Sequence, residues 1–397
     1  MDLRSRLAHL DRTIGSSAPP TPGRTEEELA AALGGLGLTR TDTVAGAVWS
    51  RSFQSTCSPP PSLDPSGMAP LMSRPAPDGA TWDDILFLDT ETTGLSGGTG
   101  TLAFLIGVAW WESGVLHGRL DFLPSPGHEG ALLANLAALA SRFRIVVTYN
   151  GNGFDLPLLR TRGVLHRRRG LLDDLVSWDL LPAARRLWGR RLPNVRQPTV
   201  EQLIAGIVRD GQDIPGAQIP AAWIEFVRNG PSDMLALVLD HNRWDVEGMA
   251  GILNHVADGA ERLARGPDVA SAELAWQDTW SLARFCEHHH RREESWRWAA
   301  LAIGKAPLGV SERRHGLGPA EPFFVDGVRL LKRSGDWQGV GNLLETALDH
   351  HPSSCRLRRE AAILYEHRLP DLKRAIGHAL QAEDPHRLAR LERKLEE

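Results

Sequence analysis

The chain has 397 residues, 42% hydrophobic and 24% charged, which excludes a disordered or fibrous polymer and leaves room for two to three domains of roughly 100–200 residues. Its formal charge of -4 excludes a globally basic nucleic-acid coat but permits a local basic face. Three widely spaced cysteines, Cys57, Cys286 and Cys355, make neither a disulfide framework nor a zinc cluster and point to a reducing, cytoplasmic compartment. The longest apolar stretch, around Leu102 to Trp111, is far short of the roughly 20 residues of a membrane span. The N-terminal MDLRSRLAHLDRTIG carries charges where a signal peptide is apolar.

Residues 1–80 read as an N-terminal extension. One helix is expected over Glu26–Leu33 with Thr25 as its cap, and the stretch Pro61–Gly79, dense in Pro, Gly and Ser, reads as a linker or draped segment. From Asp84 short apolar runs alternate with helical periods. Strands are expected at Ile85–Leu88, Thr101–Trp111, Val115–Phe122 and Ile145–Tyr149, the first three as a meander. Helices are expected at Glu129–Ser141, where leucines recur at 132, 133, 136 and 139, from Phe154 onward, and over Asp233–His255. This is a mixed α/β core, placed at residues 81–262. Beyond about residue 260 no strand signal remains. There "GDWQGVGNLLETALDHHP" (Gly335–Pro352) is echoed by "LPDLKRAIGHALQAEDP" (Leu369–Pro385), with Asp336 and Asp371 35 apart and Pro352 and Pro385 33 apart. That is near the tetratricopeptide period of about 34, with a weaker copy at Glu293–Pro307 before an inserted loop. Residues 271–397 are therefore expected to be all helical, as repeats or as ordinary amphipathic helices.

Three stretches carry chemistry. In "ILFLDTETTGLSGGTG" (Ile85–Gly100) a buried strand runs into Asp89 and Glu91. Residues i and i+2 of a strand face one side, and two adjacent carboxylates repel unless a cation lies between them. A hard divalent ion such as Mg²⁺ suits oxygen ligands open to phosphate; alone, the pair also fits a solvated loop entry. In "IVVTYNGNGFDLPLLRTR" (Ile145–Arg162) Asn150 and Asp155 flank Gly151 and Gly153 beside a second strand end, although an acid in a helix's first turn also serves the helix dipole. In "LDHNRWDVEGMAGIL" (Leu239–Leu253) His241 and Asp245 are four apart and share a helix face; a surface ion pair is the plain alternative.

Taken together and in this order, the three stretches resemble the DEDD 3′–5′ exonucleases of the ribonuclease H-like fold. Asp89 and Glu91 in "LDTETTGL" match the first motif of that family, Asp155 in "YNGNGFDLPLL" resembles its second and Asp245 in "HNRWDV" its third. The phrases "FLDTETTGLSGGTGT", "VTYNGNGFDLPLL", "DLLPAARRLW" and "IPGAQIPAAWIEFVRNG" look like the YprB-type ribonuclease H-like family, many of whose members carry tetratricopeptide-like C-terminal helices. The resemblance covers about residues 80–255 closely and the C-terminal part loosely. It implies a ribonuclease H-like mixed sheet with flanking helices, followed by an all-helical tetratricopeptide-like domain. One departure stands out: the superfamily's water-positioning residue is a Tyr four before the last Asp or a His five before it, and here His241 takes the Tyr spacing, which leaves it as the base, as a residue that orients a ligand or as a helix cap.

The resemblance implies a nuclease holding two ions of Mg²⁺ or Mn²⁺ about 4 Å apart. Asp89 would bridge them, Glu91 and Asp155 would complete their ligands, Asp245 would hold the water-side ion, and His241 would take or orient the water's proton. Asn150 is a candidate to contact the nucleotide backbone or to brace its turn, and Thr92 is a candidate substrate contact. Ten arginines between Arg160 and Arg196, Arg185 and Arg186 among them, against three acids, offer positive potential for the phosphates of DNA or RNA, or a solvated surface. Trp178, Trp188 and Trp244 are expected mostly in the core. Two rivals share the fold: a nucleic-acid-binding or scaffold protein whose repeats hold a protein partner, and a structure-specific endonuclease. A pure scaffold has no use for clustered negative charge.

Overall fold

The computed structural model describes residues 25–61, 63–94, 100–270, 273–309 and 319–396. The start of the N-terminal extension, part of the glycine-rich turn after Glu91 and most of the loop inserted among the C-terminal helices lie outside these residues. Helix α1 (Glu26–Gly34) opens on a capping box in which the Thr25 hydroxyl accepts from the Glu28 N–H and the Glu28 carboxylate accepts from that of Thr25. The chain then forms a seven-stranded mixed sheet: β1 (Thr39–Thr43), β2 (Gly46–Ser55), β3 (Ile85–Thr92), β4 (Ala103–Glu112), β5 (Val115–Phe122), β6 (Ile145–Thr148) and β7 (Val176–Asp179), in the order β1-β2-β5-β4-β3-β6-β7. Pairing is antiparallel from β1 to β3 and parallel across β3, β6 and β7. Ile85–Leu88 and Ile145–Val147 are wholly buried because helices cover parallel strands on both faces. The β4–β5 hairpin closes through Ser113 and Gly114, both at positive φ, the backbone that a two-residue turn of matching twist requires.

The sheet extends further than the sequence suggests. β1 and β2 belong to it, although β1 carries no buried residue and only Val48 and Trp49 of β2 are buried. A polar edge strand needs no apolar alternation, so its signal in the sequence is weak. β7 is missing from the sequence reading for another reason: four residues are too few to show a period. The Pro-rich segment between β2 and β3 is a strap with fixed anchors. Three indole N–H groups hold it, Trp82 to the Leu63 carbonyl (2.8 Å), Trp111 to that of Cys57 (2.8 Å) and Trp178 to that of Arg74 (2.9 Å), while Met68, Leu71 and Met72 are buried beneath it.

Helices α2 (Glu129–Ala140) and α3 (Asp155–Leu165) follow β5 and β6, α4 (Leu180–Trp188) follows β7, and α5 (Ile219–Asn229) precedes α6 (Asp233–Arg265). α6 outruns the expected end at His255 because no proline intervenes and Gly259 stays helical, until Gly266, whose positive φ and following Pro267 end it. The chain divides into two compact units, one running to Leu181 and resuming over Val200–Asn254, the other comprising Pro182–Thr199 and the chain from His255. The second unit is helical: α7 (Trp276–His288), α8 (Arg292–Lys305), α9 (Glu321–Ser334), α10 (Trp337–His350), α11 (Cys355–His367), α12 (Leu372–Gln381) and α13 (Pro385–Glu396). Asp336 and Asp371 cap α10 and α12 in the same way, each carboxylate accepting from the backbone N–H three residues on, at 2.8 and 3.0 Å. Trp298, Phe324, Leu344, Ala362 and Ala375 lie in its core.

β4 and α6 meet at Gly107. A Cβ there would lie inside the van der Waals envelope of Asn242 Oδ1 and 3.2 Å from Val246 Cγ1, and Asn242 is fully buried with no room to retreat. Gly107→Ala should therefore destabilise the protein by about 1–3 kcal/mol through overpacking, read as a lower urea midpoint at unchanged m; an unchanged midpoint would show that α6 does not close tightly on β4.

Candidate active site

The parallel strands β3, β6 and β7 all end at one edge of the sheet, where ligands of α/β proteins collect. β3 delivers Asp89 and Glu91 there. The turn after β6 delivers Asp155 at the first position of α3, and α6 crosses with His241, Asn242 and Asp245. Asn242 Nδ2 donates to Asp89 Oδ2 at 2.7 Å, and Thr90 Oγ1 donates to Asp155 Oδ1 at 2.5 Å. His241 Nε2 lies 3.3 Å from Asp245 Oδ2 and 3.8 Å from Glu91 Oε1. Donor atoms of Glu91, His241 and Asp245 fall within 4.8 Å of one another.

These charges are costly to gather. Burial first, and then the charges of Asp245, Asp155 and Glu91, hold the Asp89 carboxyl well above the usual carboxylate range, with the Asn242 hydrogen bond working the other way. Glu91 is raised for the same reasons, burial first, then Asp245, Asp155 and Asp213, with Arg209 opposing. Asp155 is pushed up to about 6 by burial, against the Thr90 hydrogen bond.

One cation already enters the cluster. Arg209 binds Glu201 through Nε (2.9 Å) and Nη2 (3.1 Å), Asp213 through Nη1 (3.0 Å) and Asp245 through Nη2. Burial works against its charge, but Asp245 and Glu201 outweigh burial and raise its pKa further. Glu201 is buried in a single π-helical turn (Glu201–Ala205) and fits against α6 because Gly248 has no Cβ to occupy the place of its Oε1. Asp213 holds the opposite edge of the His241 ring, its Oδ1 2.5 Å from Nδ1.

Of the candidates from the sequence, Asp89, Glu91, Asp155, His241 and Asp245 come together at this edge. Asn150 takes φ 67°, and its N–H donates to Asp179 Oδ1 at 2.7 Å. Asp179, at the end of β7, also accepts from the N–H groups of Asn152 (3.3 Å) and Leu181 (3.0 Å), so it shapes the turn that presents Asp155. Thr92 turns its hydroxyl to the Gly94 carbonyl at 2.8 Å. Arg185 and Arg186 are exposed on α4 within the second unit. Trp178, Trp188 and Trp244 are buried. Thr90, Asn242, Asp179, Glu201, Arg209 and Asp213 escaped the sequence reading. Asn242 sits three before Asp245 on the helix and Asp179 ends an apolar run as Asp89 does, so both left a trace. Arg209 and Asp213 come from the irregular "GIVRDGQDIPG", which has no period to read.

A mixed sheet carrying carboxylates at the ends of its central strands and on a crossing helix is the architecture of the RNase H superfamily, and residues 86–257 match that superfamily. This part of the chain is an RNase H-like domain. The chain is also similar to YprB of Bacillus subtilis (strain 168), an uncharacterised protein, with 36% identity over 193 residues, 48% of this chain and 46% of that one. The chain thus spans about half the length of the curated relative it matches.

A carboxyl whose folded pKa is raised binds its proton more tightly in the folded state than in the unfolded one. Stability from Asp155 is therefore fully present below the ordinary carboxylate range and is lost as pH rises through that range to about 6. Relative to the parent, Asp155→Asn should raise metal-free stability at pH 8 by roughly 1–3 kcal/mol and bring little gain near pH 4. Melting followed across pH 4–8 in EDTA checks this; an equal difference at both ends would remove the linkage.

Proposed function

We propose that the RNase H-like domain is a metal-dependent nuclease that hydrolyses phosphodiester bonds of DNA or RNA from the 3′ end, an exonuclease of the DEDD type. The observation that supports it best is the gathering of Asp89, Glu91, Asp155 and Asp245 beside His241 at one sheet edge, where the protein's own groups leave much of the negative charge uncompensated. The donors are carboxylate oxygens and one imidazole nitrogen, a set that fits Mg²⁺ or Mn²⁺. Asp89, Glu91, Asp155 and Asp245 would hold two such ions. When bound, the ions neutralise charge on the phosphoryl oxygens and activate water.

The protein's own groups do the rest. Asn242 and Thr90 fix the orientation of Asp89 and Asp155. His241 Nε2, facing Glu91 and Asp245, accepts the proton of the attacking water, a task that suits an imidazole near neutral pH. Asn150 and Thr92 contact the terminal nucleotide. The helical unit takes no part in the chemistry; a succession of helices with recurring caps, in the manner of tetratricopeptide arrays, suits a protein partner.

End-labelled single-stranded and duplex DNA and RNA, incubated with purified protein and Mn²⁺ or Mg²⁺, should yield a ladder shortened from the 3′ end, and none in EDTA. Asp89→Asn should abolish nearly all of this activity while keeping or raising the melting temperature, since it removes both a ligand and a repelling charge. Internal cleavage products would reassign the reaction as endonucleolytic, and parental turnover by the variant would place the chemistry elsewhere.

A further inference from the structure

The ring of His241 has two different edges. Nδ1 lies 2.5 Å from Asp213 Oδ1, whereas Nε2 faces Asp245 Oδ2 at 3.3 Å and Glu91 Oε1 at 3.8 Å. A carboxylate at 2.5 Å is an acceptor, so Nδ1 must carry a hydrogen to meet it. The other neighbour of Nδ1, Arg209 Nη1 at 3.4 Å, can only donate and would favour a bare Nδ1, but it is the longer contact and already donates to Asp213 Oδ2 at 3.0 Å, so the carboxylate at 2.5 Å sets the tautomer. Asp213 cannot turn away easily: its second oxygen accepts from Arg209 Nη1 at 3.0 Å, and Arg209 is clasped by the buried Glu201.

We propose that Asp213 is a positioning residue, which keeps hydrogen on His241 Nδ1 and so leaves Nε2, the nitrogen facing Glu91 and Asp245, as the atom that accepts a proton. The chain Glu201–Arg209–Asp213–His241 carries this order into the site from the irregular segment before α5. In the step it serves, an O–H bond of the attacking water breaks and an Nε2–H bond forms; the water oxygen's electron pair makes a new bond to phosphorus, and the P–O bond to the leaving 3′-oxygen breaks, its pair staying on that oxygen, which takes a proton from solvent. Asp213 stabilises the imidazolium that results, as a carboxylate behind a catalytic histidine does elsewhere. It also explains why a histidine four residues before Asp245 suffices: the ring is aimed by a partner and not by its spacing alone. This role rests on the nuclease reading, but the tautomer does not.

The test is nitrogen NMR of the full-length protein labelled with ¹⁵N-histidine, metal-free and with Mg²⁺, the His241 ring being assigned by its loss in His241→Gln. The parent should show hydrogen on Nδ1, Asp213→Ala should move it to Nε2, the form free histidine prefers, and Asp213→Glu should keep the parental form. Asp213 is exposed, so these variants should fold, and Asp213→Asn, nearly the same shape, serves as a second check. Asp213→Ala should also lower kcat about 10–100-fold, with glutamate restoring most of it. Hydrogen on Nε2 in the parent, or a tautomer indifferent to Asp213→Ala, overturns the proposal. Absence of any nuclease activity overturns the functional reading and leaves the tautomer result standing.

Discussion

Four carboxylates drawn to one buried sheet edge repel one another, and the architecture around them is arranged to keep them there. At separations near 4 Å and an effective dielectric of about 20, two like unit charges repel by about 4 kcal/mol, whereas a hydrogen bond to a charged group returns about 1.5–3 kcal/mol. The bonds from Asn242 and Thr90 are thus too weak to hold the group unaided, and Arg209 reaches Asp245 with its charge already divided among Glu201 and Asp213. What holds the group is covalent and steric. Asp89 and Glu91 are built into a strand paired on both sides, α6 is seated on the neighbouring β4 at Gly107, which admits Asn242, and Gly248 of α6 admits Glu201. Sites in which rigid packing opposes local electrostatics are where stability is given up for function.

Much of the fold was legible because its central elements are strongly periodic. Ile85–Leu88 and Val115–Phe122 read as strands and are strands, and the helix expected at Glu129–Ser141 runs over Glu129–Ala140. The elements that were not legible have two physical reasons. β1 is solvent-exposed along nearly its whole length, so burial did not shape its sequence, and β7, though mostly buried, is too short for alternation to show. The Pro-rich segment shows the converse. Its composition suggests a linker or a draped segment, yet what fixes it are indoles elsewhere in the chain, which composition cannot reveal.

The site divides the same way. Asp89 with Glu91, and His241 with Asp245, could be paired from the sequence because strand and helix periods turn spacing into direction. Thr90 contradicts a simple use of that rule: it lies between the two acids of β3 and still reaches Asp155, since α3 begins against the other face of the strand end. Arg209 and Asp213 were out of reach because an irregular backbone has no rule linking number to direction. A histidine displaced by one position from the family pattern was visible, but what aims it was not.

The strap between β2 and β3 has a consequence for the order in which the molecule is made. Its carbonyl acceptors at Cys57, Leu63 and Arg74 precede their donors at Trp111, Trp82 and Trp178 along the chain. During synthesis, which proceeds at about 5–20 residues per second, Arg74 waits for a partner 104 residues downstream, and β2 likewise waits for β5. β2 and the Arg74 end of the strap therefore stay without these partners on the ribosome for several seconds, although both are translated before the strands and indole that hold them.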